Sequence, residues 1–339
     1  MCKTIIIIIS NAIIHGSSLI GLTLFSVGTE SYLLNNNLDQ IYKWNHIQST
    51  VGTSYLIPDR TIIVQLRCEH NFGNSHGPIG GRFQKINFDE EIIWDFSYFT
   101  TEYHPHHDFE PLANGNIIII AWEKKSQFEL EEAGRVNINN QFWPLKIVEL
   151  MPIGVDSAIV VWEWHLWDHL IQDVNPNLDN YGDISLNPQL LDINLVEMNN
   201  ANNGDWLHTN AIDYNSELDQ IAFSSRFLDE IFIIDHSTTT FEASTHSGGN
   251  SGRGGDFLYR WGNPQNYGRG GEEDKVLNDQ HGVNWIDNSY IGAGNLLIFN
   301  NNPLDPTGQD HSFGNSSILE IIPPLLTDYN YEIDEGNAY

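Results

Sequence analysis

The chain has 339 residues, 40% of them hydrophobic and 12% aromatic, which is enough for a packed core and excludes a wholly disordered polymer. Lys and Arg number 15 against 45 Asp and Glu, a formal charge of −30, so the body repels phosphate backbones and anionic lipid and argues against nucleic-acid or membrane-surface binding. No run of about 18 apolar residues predicts a membrane-spanning helix, so no integral membrane association is expected, and two cysteines (Cys2 and Cys68) with no Cys-x-x-Cys pair exclude a zinc ribbon or thioredoxin-type site.

In chain order, Lys3 followed by Ile5–Ile9 reads equally as the start of a signal segment or as a first strand. Residues 1–20 are therefore set apart from a domain over 21–339, and a periplasmic or secreted location is expected. Strand signals dominate from there on. Thr61–Leu66, Ile117–Trp122, Ile159–Trp162, Ile231–Asp235 and Leu296–Asn300 are short Ile- and Val-rich runs bounded by Asn, Gly, Asp and Pro. Gln127–Gly134 and Trp167–Val174 are the two stretches expected to form short helices.

One unit recurs: an acidic residue, an apolar strand and a closing Trp. It appears as Asp39–Trp44, Asp89–Trp94, Asp156–Trp162 and Asp256–Trp261, with Asp229–Asp235 as a fifth copy ending in Asp. A period of about 40–50 residues built of short strands predicts an all-β chain folded as a β-propeller. A β-sandwich with coincidental hairpins is the alternative.

Three histidines keep phase with these strands. His106 precedes Ile117–Ile120, His208 precedes Ile221–Phe223, and His281 precedes Leu296–Phe299, with separations of 102 and 73 residues. Equivalent blade positions converge on a propeller's axis, so the three imidazoles are expected to meet at the channel mouth. Such a cluster suits a transition metal or acid–base and nucleophilic work on an anion. Asn210 shares a strand face with His208, and Ser224-Ser225-Arg226 ends the next strand, returning Arg226 beside His208. A guanidinium opposes a cation and favours a tetrahedral oxyanion. An ordinary surface ion pair is the other reading of Arg226.

Asp205-Trp-Leu-His-Thr-Asn210, His106-His-Asp with Leu112-Ala-Asn-Gly-Asn116, Gly254-Gly-Asp-Phe-Leu-Tyr-Arg-Trp-Gly-Asn-Pro264, Gln280-His281 and Ser316–Pro324 resemble the bacterial aryl-sulfate sulfotransferase (arylsulfotransferase) family over about residues 20–330. Trp162-Glu-Trp-His-Leu-Trp-Asp-His-Leu-Ile-Gln172 looks typical of one branch. The resemblance implies a six-bladed propeller, with the last blade here incomplete. It also implies transfer of a sulfuryl group from an aryl sulfate donor to a phenolic acceptor, with no nucleotide donor and no cofactor. His281 matches the nucleophile that is transiently sulfated. His208 matches a catalytic partner, and His106 (or its neighbour His107), Asn210 and Arg226 match the residues that hold the sulfuryl oxygens. Trp206, Trp285 and Tyr267 are either supports for the aryl ring or core. Gly282 stands after His281 where an acidic residue is expected. Two further readings compete: a non-catalytic propeller that binds sulfated aromatics or glycans, and a metal-dependent hydrolase or lyase using His106, His208 and His281.

Overall fold

A computed structural model describes residues 21–68, 72, 78–138, 141–195, 204–301, 316–326 and 329–333. The segment 1–20, with Ile5–Ile9 and Cys2, lies outside them; Cys68 is buried, and burial pushes its thiol up to about 11.

The strands form five antiparallel sheets of a β-propeller. The first has β1 (Leu22–Val27), β2 (Glu30–Asn35) and β3 (Gln40–Asn45). The second has β4 (Thr50–Ile57), β5 (Thr61–Arg67), β6 (Gly81–Asn87) and β7 (Ile92–Ser97). The third has β8 (Tyr103–Pro111), β9 (Ile117–Glu123), β10 (Leu145–Ile153) and β11 (Ser157–His165). A two-stranded parallel ladder, β12 (Leu170–Ile171) and β13 (Leu191–Asp192), lies in the connection to the fourth sheet, which holds β14 (Thr209–Asn215), β15 (Gln220–Ser225), β16 (Glu230–Asp235) and β17 (Tyr259–Trp261). The fifth has β18 (His281–Trp285), β19 (Leu296–Asn300) and β20 (Ser317–Ile321). The innermost strands pack in succession, β1 on β4, β4 on β8, β8 on β14 and β14 on β18. Among the described residues five blades are present, and the sixth that the resemblance implies has no counterpart.

The continuous isoleucine runs follow from burial on both faces. Along β9, Ile117 and Ile119 pack toward the second blade with Phe83 and Trp94, whereas Ile118 and Ile120 pack toward the fourth with Ile212 and Phe223. Period-2 alternation thus sends successive side chains into two different seams, and neither seam faces water.

The Asp–Trp units end the blades. Trp44, Trp94 and Trp162 stand on the last strands of blades one to three, and each indole reaches the following blade. Nε1 of Trp44 donates to Asn87 O (3.0 Å), that of Trp94 to Ser157 O (2.8 Å), and that of Trp162 to Thr238 Oγ1 (3.1 Å). The fourth unit ends β17, while the Asp229–Asp235 copy is the third strand of blade four. Trp94→Phe keeps most of the packing and deletes one stitch between blades two and three. A loss on the order of 1 kcal/mol is expected in chemical denaturation; an unchanged midpoint would make the repeated indole a packing group only.

The expected helix at Gln127 forms as α1 (Gln127–Glu132), capped reciprocally by Ser126 and Glu129. The one expected over Trp167–Val174 does not. A 3-10 turn at Leu166–Asp168 gives way to β12, because Leu170 and Ile171 are buried in pairing with β13.

Candidate active site

Bulges interrupt the inner strands at equivalent places. Pairing slips between Val51 and Ser54 in β4, Pro105 and Phe109 in β8, Thr209 and Ala211 in β14, and His281 and Val283 in β18. Gly52, His107 and Gly282 within these breaks, and His208 just before the one in β14, take positive φ of 66°, 50°, 82° and 49°. Two non-glycine residues in the left-handed region, both histidines and both facing the same place, mark a constrained site. A Cβ on Gly52 would fall 1.6 Å from the His107 carbonyl oxygen, so only glycine lets β4 lie against the His107 bulge.

His208 is buried and fixed by Asp205. Its main-chain N–H donates to Asp205 Oδ1 (3.0 Å), and its ring Nδ1 lies 2.6 Å from Asp205 Oδ2. A carboxylate accepts only, so Nδ1 carries the proton and Nε2 is left for other work. Burial by itself would raise the Asp205 carboxyl, but hydrogen bonds from His208 and from Trp122 Nε1 (2.9 Å) hold it below its ordinary value.

Of the adjacent pair in β8, His107 makes the ring contact with His208, edge to face at 4.6 Å between centroids. His106 lies behind it, stacked at 4.0 Å on Trp122 with its Nδ1 2.8 Å from His107 Nδ1. The resemblance favours His106 for substrate contact; the geometry puts His107 nearer. Burial drives His106 down to about 3 and His107 well below the usual imidazole range, the latter helped by His106, His208, His281 and Arg226, so both rings are neutral at pH 7.

His281 opens β18. Its Nδ1 lies 3.0 Å from the main-chain O of Asp279, beside the Asn301 amide, which itself donates to that carbonyl at 2.6 Å. Nδ1 thus sits between an acceptor, the Asp279 carbonyl, and a donor, the Asn301 amide nitrogen, so that edge of the ring is occupied and the Nε2 edge is left for other work. Burial, then His208 and Arg226, lower the proton affinity of His281 against the opposing pull of the Asp279 carbonyl. The acidic residue expected after His281 is thus replaced by a main-chain acceptor two residues before it.

Arg226 follows β15, and its main-chain N–H donates to His208 O (3.2 Å), as the hairpin predicts. Its Nε lies 2.8 Å from Asp279 Oδ1, too poorly aligned for a hydrogen bond but a close ion pair. Asp279 therefore holds the guanidinium with its side chain and the His281 ring with its main chain. Asn210 donates from Nδ2 to Gln280 O (2.8 Å), tying the β14 bulge to the residue before His281. Gln280 is itself wedged into blade four, donating to Ser225 O (2.8 Å) and Glu230 O (2.9 Å).

His106, His208, Asn210, Arg226 and His281 are thus gathered at one end of the inner strands. The aromatic candidates are not. Trp206 and Tyr267 are fully buried, against Phe142 and under the Arg260 guanidinium respectively. Trp285 is half-buried, its main-chain N–H donating to Asp213 Oδ2 (2.5 Å). Phe227, which sequence reasoning passed over, lies beside the His208 ring at 4.9 Å, with the Arg226 guanidinium 5.7 Å from its centroid. Asp279 and Asn301 were also missed. The three in-phase histidines do not form a metal-ligand group: among the described residues, the three whose ligand atoms all lie within 4.8 Å are His169, His246 and Asp256.

Further along the same strands the lining is acidic. Tyr55 in β4, Asp108 and Glu110 in β8 and Asp213 in β14 face one another, with Asp108 Oδ2 accepting from Ile212 N (3.3 Å). Burial first and mutual repulsion second push Glu110 up to about 9 and Asp213 to about 7, while burial raises Asp108 to about 6. The folded chain keeps the Glu110 proton between 4.5 and 9, where the unfolded chain has released it. Stability therefore falls as pH rises through that window, with a limiting slope of about 1.4 kcal/mol per pH unit. Glu110→Gln is expected to flatten the slope, gaining on the wild type at about pH 8 and matching it at about pH 4. Parallel stability curves across that range would contradict the assignment.

No curated protein matches the chain. Among solved structures it is similar to the hydrazine synthase of Kuenenia stuttgartiensis (9% identity, 88% of this chain and 67% of that one, TM-score 0.44). It is also similar to a protein of unknown function from Bacteroides caccae (10% identity, 94% of each chain, TM-score 0.35). Neither likeness bears on chemistry. The family model for arylsulfotransferase (ASST) matches residues 80–335. That span is most of the chain and contains all the candidate side chains named above at the mouth of the inner strands: the chain belongs to the arylsulfotransferase family.

Proposed function

We propose that this chain moves a sulfuryl group from an aryl sulfate ester to a phenol through a sulfated His281, without a nucleotide sulfate donor. The observation that carries the reading is the way the His281 ring is held. Its Nδ1 edge is held between the Asp279 carbonyl and the Asn301 amide, which leaves the Nε2 edge in a cluster with a guanidinium paired with the same Asp279; the tautomer this reaction uses has the proton on Nδ1 and the lone pair on Nε2.

In the first half-reaction His281 Nε2 attacks sulfur in line with the ester oxygen. The N–S bond forms, the S–O(aryl) bond breaks, and the phenolate leaves with the Nε2 proton of His208, which enters the cycle as the imidazolium with its Nδ1–H on Asp205 and regains that proton from the acceptor. A loose transition state of this kind places charge on the peripheral sulfuryl oxygens, where Arg226 opposes it. A phenol ionises near pH ~10, so protonation of the leaving oxygen matters. Asp205 steadies His208 while it carries its second proton, as a carboxylate does behind a catalytic imidazole. In the second half-reaction His208 takes the acceptor's proton, the phenolate oxygen attacks sulfur, and His281 is released unchanged. Neutral His107 completes the wall of the cluster, and Phe227 gives the aryl ring an apolar face.

The test is turnover of a chromogenic aryl sulfate with phenol as acceptor and no nucleotide present. Release of chromophore, formation of phenyl sulfate and parallel double-reciprocal lines are expected of a ping-pong enzyme. Binding of the donor without release would make the chain a binding module and overturn the proposal.

A further inference from the structure

The motif Trp162–Gln172 takes no part in the cluster around His281, yet it builds a second polar group beyond β11, the outermost strand of blade three. His169 follows the 3-10 turn Leu166–Asp168, is fully buried, and stacks on Trp164 with 5.5 Å between centroids and 4° between planes. Its Nε2 lies 2.8 Å from Ala243 O, at the end of the short helix α2 (Thr240–Ala243). Because that carbonyl only accepts, Nε2 bears the proton, and Nδ1 presents its lone pair. What it faces, at 2.8 Å, is Asp256 Oδ1, another acceptor. His246 Nδ1 reaches the same oxygen at 2.7 Å. Two acceptors at this separation require a positive centre between them, either an extra proton or a metal ion.

We infer that His169 Nδ1, His246 Nδ1 and Asp256 Oδ1 are the ligands of a divalent transition-metal site, with Zn²⁺ the ion they suit best. The three atoms already lie within 4.8 Å of one another. Ligand atoms about 2.0–2.1 Å from a tetrahedral zinc stand roughly 3.3 Å apart, so each histidine nitrogen has to move back from the Asp256 oxygen by about half an ångström. Two imidazoles and one carboxylate match zinc and are too few, and too rich in nitrogen, for Ca²⁺ or Mg²⁺. The Ala243 carbonyl is the outer partner that a ligating histidine needs on its other nitrogen. Gly255 keeps that arrangement open: a Cβ there would stand 2.1 Å from Ala243 O and 2.5 Å from His169 Nε2. Its own carbonyl is held by Trp164 Nε1 at 2.8 Å.

The bound ion would link the turn after β11 in blade three to the β16–β17 connection in blade four, segments 87 residues apart in sequence. Binding there stabilises the folded state directly, since the unfolded chain offers no assembled site. His246 is the exposed ligand, lining a cleft with Trp167, Asp168 and Tyr181, so water can supply the fourth ligand.

The test uses the full chain and a His246→Ala variant. Both are stripped with chelator, dialysed against Zn²⁺ and assayed for bound metal by mass spectrometry. The side chain of His246 is 61% exposed, so the variant should fold, and its zinc-free melting midpoint checks that. The wild type should hold one more equivalent of Zn²⁺ per chain than the variant, whatever other histidines bind. Zinc should raise the wild-type midpoint by roughly 5 °C or more beyond any rise in the variant. Equal zinc content in the two proteins, or equal midpoint shifts, would show that the triad is a protonated histidine–aspartate cluster and would overturn the inference. Neither readout depends on sulfuryl transfer, so the two proposals fail separately.

Discussion

His281→Ala is expected to lower sulfuryl transfer by at least about three orders of magnitude, because it removes the atom that bonds to sulfur rather than one that assists. Folding should be little affected. The segment that carries His281 is fixed by Gln280, whose side chain donates to Ser224, Ser225 and Glu230, and by Asn210 on the Gln280 carbonyl, and none of these bonds uses the imidazole. The measurement is initial rate with a chromogenic donor, alongside a thermal melt. A variant that melts like the wild type and still turns over at the wild-type rate would show that the nucleophile lies elsewhere.

Arg226→Met is expected to cost about a hundred- to a thousandfold in kcat, the usual effect of losing one charged group aimed at a developing oxyanion. The thioether keeps most of the stem and its packing beside Phe227. Arg226→Lys restores the charge without the planar fork and should recover part of the loss. A second signature separates this role from a merely structural one. Arg226 helps to hold His281 below the ordinary imidazole range. Without the cation the imidazole takes up a proton more readily, so the acid limb of the pH–rate profile should move to higher pH in Arg226→Met. A reduced rate with an unmoved acid limb would place the guanidinium out of electrical contact with the nucleophile.

The blades were legible in the sequence because their physics is local and repeated. Ile117–Ile120 is apolar at every position since both faces of β9 enter seams, and Trp44, Trp94 and Trp162 recur because each indole closes the same gap between neighbours. The phase of His106, His208 and His281 was readable for the same reason. The finer placement was not. Whether His106 or His107 touches His208 depends on a bulge at β8 that alters which way successive side chains point, and a bulge leaves little trace in composition. The partner that orients His281 is a main-chain carbonyl, which every residue possesses and no residue type announces. Trp206 and Tyr267 were open to two readings, ring support or core, and the structure puts both in the core. Phe227 was available to sequence reasoning, since it follows Arg226 directly and must share its hairpin end. The Trp167–Val174 stretch was misread as helix because two buried residues, Leu170 and Ile171, pair with a strand about 20 residues later.

The most direct measurement is peptide mass spectrometry of the full chain, quenched at alkaline pH after brief exposure to an aryl sulfate with no acceptor present. The account predicts a sulfuryl adduct on the peptide that contains His281, lost again when phenol is added before the quench. An adduct on the peptide containing His107 or His208 instead, or turnover with no adduct on any histidine, would contradict it.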